Sequence, residues 1–550
     1  MSGSDGEATG GRPMSAGPDD DATLAAEAAA GAVPVSGPAG GGMAGGAWGV
    51  ALLTLVIGAF MSLLDSSIVN VAVPTLETAF SASTDQIQWV ITVYLLVLGI
   101  VVPSTGWLSD RFGTKRLYLV SLALFTVGSF FSGFAWSVGS LIVFRAFQAL
   151  GGGLIMPITM SMIYQLVPRA RIGTAMGFFG LALILAPAIG PTLGGYLVEF
   201  VDWRFIFYVN VPIGILGVLA GAAWIPEFPS RAAGRFDAPG AVTSAIGLFA
   251  LLFALSEGAT WGWTSEAIIL LFYVAVAALA LFVYIELHTE RPLLDMRALG
   301  YGQFTLSLVV SAITSIALYS GVFYIPLFLQ QVVGLGAFHT GLVLLPASLV
   351  TAALIPLSGR IYDRVGPAPL AFTGLCVMTV TTYVFHNLAA DTPANTIVLW
   401  MAMRAVGMAL AMMPVMTSGM TWIPTEEVTR ASAISNIVQR VSASFGLAAL
   451  TSAVTGWQAS FATAYVAGMT PANTVATTLY RDAAALFGSV SQAAALLAGL
   501  AARQAFVTAV DRLFVVGAAI VAAGIIPSIF LRTNRQAGGG GRPGMLASPD

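Results

Sequence analysis

Residues 48–531 are dominated by apolar runs, each about 20 residues long and separated by short polar turns. A helix crosses the hydrocarbon core of a bilayer in about 20 apolar residues. Fourteen runs meet that requirement, the first centred near Phe60 and the last near Ile520. The pattern predicts an all-α membrane protein with 14 transmembrane helices. Among the few charges that fall inside runs, one comes in the first of them. The stretch FMSLLDSSIVNVAVP, residues 60–74, carries Asp65 within the body of the first predicted helix, somewhat outward of its middle.

Basic residues in the turns predict orientation. Turns with Arg111, Lys115 and Arg116, with Arg169 and Arg171, with Arg231 and Arg235, and with Arg360 and Arg364 alternate with turns nearly free of Lys and Arg. Arg532, Arg535 and Arg542 follow the last run. Both termini are therefore expected in the cytoplasm, and Trp261 and Trp263 are expected in the outer aromatic belt. Residues 1–47, rich in Gly, Ala, Ser, Pro and Asp, read as a disordered cytoplasmic tail, and 532–550 as a second tail. The alanine-rich stretch 457–504 breaks the rule of short turns. It is expected outside the cell, as a cap or helical extension of the last span, with partner docking as the sharper alternative.

The chain repeats itself. GWLSDRFG at 106–113 returns as GRIYDRVG at 359–366, so Gly106, Asp110, Arg111 and Gly113 map onto Gly359, Asp363, Arg364 and Gly366 with one constant offset. RAFQALGGGLIMP at 145–157 is answered by RAVGMALAMMP at 404–414. Two six-helix halves account for such a repeat. The offset leaves room for two further helices, which gives a six-helix unit over 48–226, an inserted pair over 237–288 and a second six-helix unit over 300–531.

Composition narrows the function. The 550 residues are 57% hydrophobic and 9% charged, against roughly 25% charged in soluble domains. One cysteine, Cys376, and three scattered histidines leave no basis for a disulfide or a metal site. A net charge of −3 offers nothing to nucleic acid. No Gly-Lys-Ser/Thr phosphate loop is present, so neither ATP-driven transport nor an enzyme is indicated, and a proton gradient replaces any cofactor as energy source.

Charges inside spans mark ion or substrate paths. Arg145, about two turns into the fourth span, lies at a depth similar to Asp65, and the two are expected to interact. An arginine beside a carboxylate favours its charged form, whereas burial opposes it. Movement of Arg145 would therefore change how readily Asp65 holds a proton; a static ion pair joining two helices is the plainer reading. Glu257 lies near the outer end of the seventh span, beside Gly258. Arg404 occupies the place of Arg145 in the second half, but the ninth span has no matching aspartate. In the fifth span Ala186, Gly190 and Gly194 recur at helical spacing with Pro187 and Pro191 between them, a seam for close helix contact with scope for a kink. Tyr94, Met156, Phe178, Tyr324 and Met412 are candidates to line an adaptable apolar cavity.

Several of these segments together carry a resemblance. GWLSDRFGTKR is similar to the loop motif of the major facilitator superfamily, and APAIGPTLGGYL at 186–197 resembles its fifth-span antiporter motif. LDSSIVNVAVPTL at 64–76, WRFIFYVNVPIG at 203–214, SEGATWGW at 256–263 and GLVLLP at 341–346 resemble the fourteen-span drug:proton antiporter branch, of EmrB/QacA type. The resemblance implies a cell-membrane protein, monomeric, that exports lipophilic and often cationic small molecules in exchange for protons. Its expected proton-coupling residues are Asp65, Arg145 and Glu257. Gly106, Asp110, Arg111, Gly113, Lys115 and Arg116 would form the cytoplasmic gating loop, with Asp110 pairing with Arg111 or with free helix-end N–H groups, and Lys115 and Arg116 anchored on anionic headgroups. Ala186, Pro187, Gly190, Pro191, Gly194 and Gly195 would form the antiporter-motif helix. The second loop copy has Pro367 and Ala368 where a basic cluster is expected, and so should latch weakly or not at all. Export of an endogenous antibiotic, siderophore or lipid remains open on the sequence, and a non-transporting scaffold or sensor is a remote third reading.

Overall fold

The computed structural model describes residues 47–168, 171–228, 234–290, 292–424, 426–468, 478, 481 and 490–533. The expected tail 1–47 (apart from Ala47), Arg169, Arg231, Arg535, Arg542 and most of 469–489 lie outside the described residues. Fourteen helices are long and apolar enough to cross a membrane: α1 Trp48–Val71, α2 Gln86–Phe112, α3 Thr114–Gly133, α4 Val138–Leu166, α5 Ile172–Phe200, α6 Phe205–Trp224, α7 Ala238–Trp261, α8 Glu266–His288, α9 Gly302–Gln331, α10 Phe338–Val365, α11 Pro367–Asn387, α12 Ala394–Met420, α13 Val428–Tyr465 and α14 Ala494–Ile529. Helices are what the composition demands, because each satisfies its own backbone hydrogen bonds in hydrocarbon.

Local chemistry sets their ends. Ser83 and Gln86 form a reciprocal capping box at the start of α2, and Ser137 with Ser140 does the same for α4. Asp237 caps α7 by accepting from the Gly240 N–H at 2.9 Å, and Ser265 caps α8. Pro103, which has no N–H to donate, shifts α2 into a 3₁₀ turn over Val102–Ser104 before the helix resumes. Gly113 (φ 82°) separates α2 from α3, and Gly366 (φ 93°) separates α10 from α11. Both copies of the repeated loop therefore turn through a backbone conformation that favours glycine.

The repeat is visible in the packing. In the first half α3 packs on α4, α2 on α4, α6 on α3 and α1, and α5 on α1; in the second, α11 packs on α12, α10 on α12, α14 on α11 and α9, and α13 on α9. Close approach depends on small residues. A β-carbon on Gly151 of α4 would collide with the Ser121 carbonyl and the Phe125 nitrogen of α3. The halves meet chiefly along α5 and α10, where Gly173 faces Gly359, Gly177 faces Ile355 and Pro356, and Gly341 faces Thr192. Of the inserted pair, α7 packs on α2 of one half and α13 of the other. Its partner α8 exposes Leu270, Tyr273, Val276, Leu281 and Tyr284, a surface suited to lipid.

Within 457–504, residues 457–468 continue α13 and 490–504 lead into α14. The 41-residue helix ending at Gly468 is about 60 Å long at 1.5 Å per residue, twice the hydrocarbon thickness. Tyr465 and Thr508 share a 2.9 Å hydrogen bond and Arg512 lies over the Phe461 ring, so the end of α13 is braced against the body of α14.

Candidate functional site

Asp65 is fully buried where α1, α4 and α6 converge, and its carboxylate has three partners. Arg145 donates from Nη1 to Oδ2 at 2.6 Å, Gln148 from Nε2 to Oδ1 at 2.8 Å, and Asn210 from Nδ2 to Oδ1 at 2.9 Å. The ion pair expected from matched depth is therefore present. Arg145 also donates to Gln148 Oε1 at 2.8 Å and lies 3.9 Å above the centre of the Tyr94 ring. That cation–π contact partly replaces water around the guanidinium. In this structure Tyr94 thus belongs to this cluster. Exposures of 0% for Asp65, Gln148 and Asn210 and 1% for Arg145 leave the pair with no solvent screening.

Gln148 and Asn210 escape a search for intramembrane charge because their amides are neutral. Gln148 sits one turn after Arg145 on the same helix face, and Asn210 lies in WRFIFYVNVPIG, so both were within reach of a search for buried amides. Asn210 also donates to Ser129 Oγ at 3.1 Å, and Ser129 donates to the Phe207 carbonyl at 2.9 Å. The Asn210 Oδ1 atom is buried with no hydrogen-bond partner.

The fifth-helix motif supports this cluster directly. Gly190 lies against Ser67, Gly194 lies against Ile68, and Ser67 donates to the Pro187 carbonyl at 3.3 Å. The small residues bring α5 against the α1 backbone just beyond Asp65. Ala186 is buried in the same helix, Pro187 and Pro191 lie inside it, and Gly195 faces open space, so it takes no part in the seam.

The loop motif forms a different contact from the one expected. Asp110 pairs with Arg430 at the start of α13, Oδ2 to Nη2 at 2.7 Å, and not with Arg111, which is exposed. The α2 site has a clear path for this partner because Gly106 lies against the Arg430 side chain and the Leu293 carbonyl. Lys115 donates to the Ala222 carbonyl at 3.0 Å, near the end of α6, and lies 3.7 Å from Glu227, whereas Arg116 is exposed. Beside Arg430, burial raises Glu427 above the usual carboxylate range, Asp295 adds to the rise and Arg430 opposes it.

The second loop copy does latch the halves, contrary to expectation. Asp363 accepts from the N–H groups of Gly173 at 2.9 Å and Thr174 at 3.2 Å, and from Thr174 Oγ1 at 2.9 Å. Its target is the first turn of α5, where unpaired N–H groups and the helix dipole favour an anion. No basic cluster is needed, which is why Pro367 and Ala368 do not abolish the contact.

The remaining candidates are dispersed. Glu257 is half-buried on α7, outside the α1–α4–α6 junction. Met156 is buried in the main core, Phe178 is 40% exposed, and Tyr324 donates to Thr451 Oγ1 at 3.1 Å between α9 and α13. Met412 lines a cavity of about 20 Å³ together with Ser311, Thr314, Ser315, Met408 and Gln439. That space holds about one water molecule, whereas a drug-sized ligand needs about 300 Å³ or more. In this conformation that cavity is too small for such a ligand.

Two repeated six-helix units joined through their repeated loops, with a buried ion pair inside the first, are the architecture of a membrane transporter. The profile of the Major Facilitator Superfamily matches residues 55–447, and the chain belongs to that family. It is similar to the MFS-type transporter YhcA of Bacillus subtilis (38% identity over 404 residues, 74% of this chain and 76% of YhcA). It is also similar to the lincomycin resistance protein LmrB of Listeria monocytogenes (31% over 456 residues, 82% of this chain and 96% of LmrB). Among solved structures, the proton:xylose symporter XylE has the same fold, with a TM-score of 0.54 at 14% identity, covering 86% of this chain and 95% of XylE. The chain is thus a multi-pass membrane transporter and not an enzyme.

Two outcomes follow from this geometry. Arg145→Leu strands a buried carboxylate and should destabilise the protein by about 3–5 kcal/mol; adding Asp65→Asn should recover most of the loss in a double-mutant cycle on thermal unfolding in nanodiscs. Additive losses would mean that the pair is not coupled. Arg430→Gln should raise the population open at this face about tenfold, equivalent to about 1.4 kcal/mol. Electron–electron distance measurements between labels at Phe112 and Glu426 read this as a longer component, and superimposable distributions would exclude a latch.

Proposed function

We propose that this chain is a proton-coupled antiporter that exports lipophilic small molecules by alternating access, with both termini in the cytoplasm. The observation that carries the reading is the Asp65 carboxylate, fully buried and held by Arg145, Gln148 and Asn210. A carboxylate in hydrocarbon has two tolerable states, paired with a cation or protonated. Rearrangement of α1 against α4 that draws Arg145 away leaves protonation as the alternative. The new O–H then needs an acceptor, and rotation of the Asn210 amide, whose Nδ2 now faces the carboxylate, would bring the buried and unpartnered Oδ1 to it.

The cycle follows from these two states. With the cavity open to the cytoplasm, substrate entry favours the Asp65–Arg145 pair and a proton leaves inward. With the cavity open outward, Asp65 takes a proton from outside as substrate departs. Each charge moving down the membrane potential supplies about 2.3 kcal/mol per 100 mV. The Asp110–Arg430 and Asp363–α5 contacts close one face during part of this cycle. The similar protein LmrB is a lincomycin resistance protein, which supports an antibiotic as the kind of cargo.

Inverted membrane vesicles with a preformed pH gradient test the proposal against a panel of antibiotics and cationic dyes. Substrate addition should release protons with the native chain, and Asp65→Asn should reduce the release to background while leaving the protein in the membrane. Unaltered exchange in Asp65→Asn would remove this residue from coupling.

A further inference from the structure

The second half repeats the buried arginine without its carboxylate. Arg404 of α12 is 4% exposed and stands where the repeat puts Arg145. It donates hydrogen bonds to neutral groups, from Nη2 to the Ala317 carbonyl at 2.8 Å and from Nε to Thr382 Oγ1 at 3.3 Å. Among the described residues no Asp or Glu pairs with it. On α9, the helix that corresponds to α1, the guanidinium rests against Gly321, where any β-carbon would collide with Nη1. The half that could have supplied a carboxylate supplies a bare backbone.

A guanidinium stays charged under all physiological conditions and carries five donors in a planar fork. Buried among a carbonyl, a hydroxyl and a glycine, it lacks the counter-charge that makes such burial tolerable. A small cavity lies along the same two helices, α9 and α12, and Arg404 is not among the residues that line it. Thr314 and Leu318 lie within one turn of Ala317, Met408 lies one turn from Arg404, and Ser311, Ser315 and Gln439 complete a wall of hydroxyl, amide and thioether groups. Such a lining suits a compact polar group attached to an apolar body.

We propose that Arg404 is an anion-recognition residue, and that the exported molecules include amphiphiles bearing one acidic group, carboxylate or sulfonate, which supplies the missing counter-charge. This deepens the export reading and rests on it for the identity of the cargo. The guanidinium fork binds the acidic group bidentately, while the methionines Met408, Met412 and Met416 pack the apolar remainder.

Two probes that share one ring system isolate the acidic group: 1-anilinonaphthalene-8-sulfonate and the neutral N-phenyl-1-naphthylamine. Fluorescence titration of the full chain in nanodiscs, corrected with empty nanodiscs, should show the sulfonate binding at least tenfold more tightly than the neutral probe. Arg404→Gln should abolish that preference and leave neutral-probe binding unchanged, and Arg404→Lys should retain part of it. An unchanged ratio in Arg404→Gln overturns the proposal. So does a native chain that binds both probes equally or neither, which decides the matter even when Arg404→Gln does not fold. Because the titration involves no pH gradient, proton exchange without sulfonate preference would sink this inference alone, and the reverse would sink only antiport.

Discussion

A carboxylate cannot stand alone in hydrocarbon, and the first half of this molecule is organised around that constraint. Asp65 is compensated by a 2.6 Å ion pair to Arg145 and by amide donors from Gln148 and Asn210. The three helices that supply these groups are thereby held in one register. Tyr94 carries the guanidinium on its ring, and Gly190 and Gly194 allow α5 to close on the α1 backbone immediately beyond the aspartate. The Asp65 carboxylate keeps all three donors only while these helices stay together, so separating them would favour its protonated form.

The two halves share a scaffold and divide the chemistry. Their helices pack in corresponding pairs, and each half sends an aspartate from the same loop motif to the other: Asp110 to Arg430, Asp363 to the first turn of α5. One latch uses a side-chain cation and the other uses backbone donors, so conservation of the aspartate within the repeat does not require conservation of its partner type. The buried arginines diverge further, since Arg145 has its anion within the protein and Arg404 has only neutral groups. The inserted helix α7 touches both halves.

Much of this was legible in the sequence because hydrocarbon imposes simple rules. Fourteen apolar runs, the repeat of GWLSDRFG and the matched depth of Asp65 and Arg145 depend on length, spacing and charge, all of which survive as one-dimensional signals. What was missed depends on contacts across the fold. Arg430 lies 320 residues from Asp110 at a helix edge, where nothing local distinguishes it from a topology signal. Asn210 and Gln148 carry no charge, so hydropathy passes over them. The second latch was misjudged because its partner is backbone, which no residue type reports. Met156, Phe178, Tyr324 and Met412 were grouped by composition alone; the fold keeps Met156 and Met412 in one core cluster but leaves Phe178 40% exposed and puts Tyr324 in an α9–α13 contact.

The central claim is that Asp65 alternates between an ion pair with Arg145 and a protonated, neutral carboxyl. Infrared difference spectroscopy of the purified chain, recorded on substrate addition, observes that change directly. The account predicts loss of a protonated-carboxyl C=O band with gain of carboxylate absorption, both absent in Asp65→Asn. The same difference band surviving in Asp65→Asn would assign the proton to another group and contradict the account.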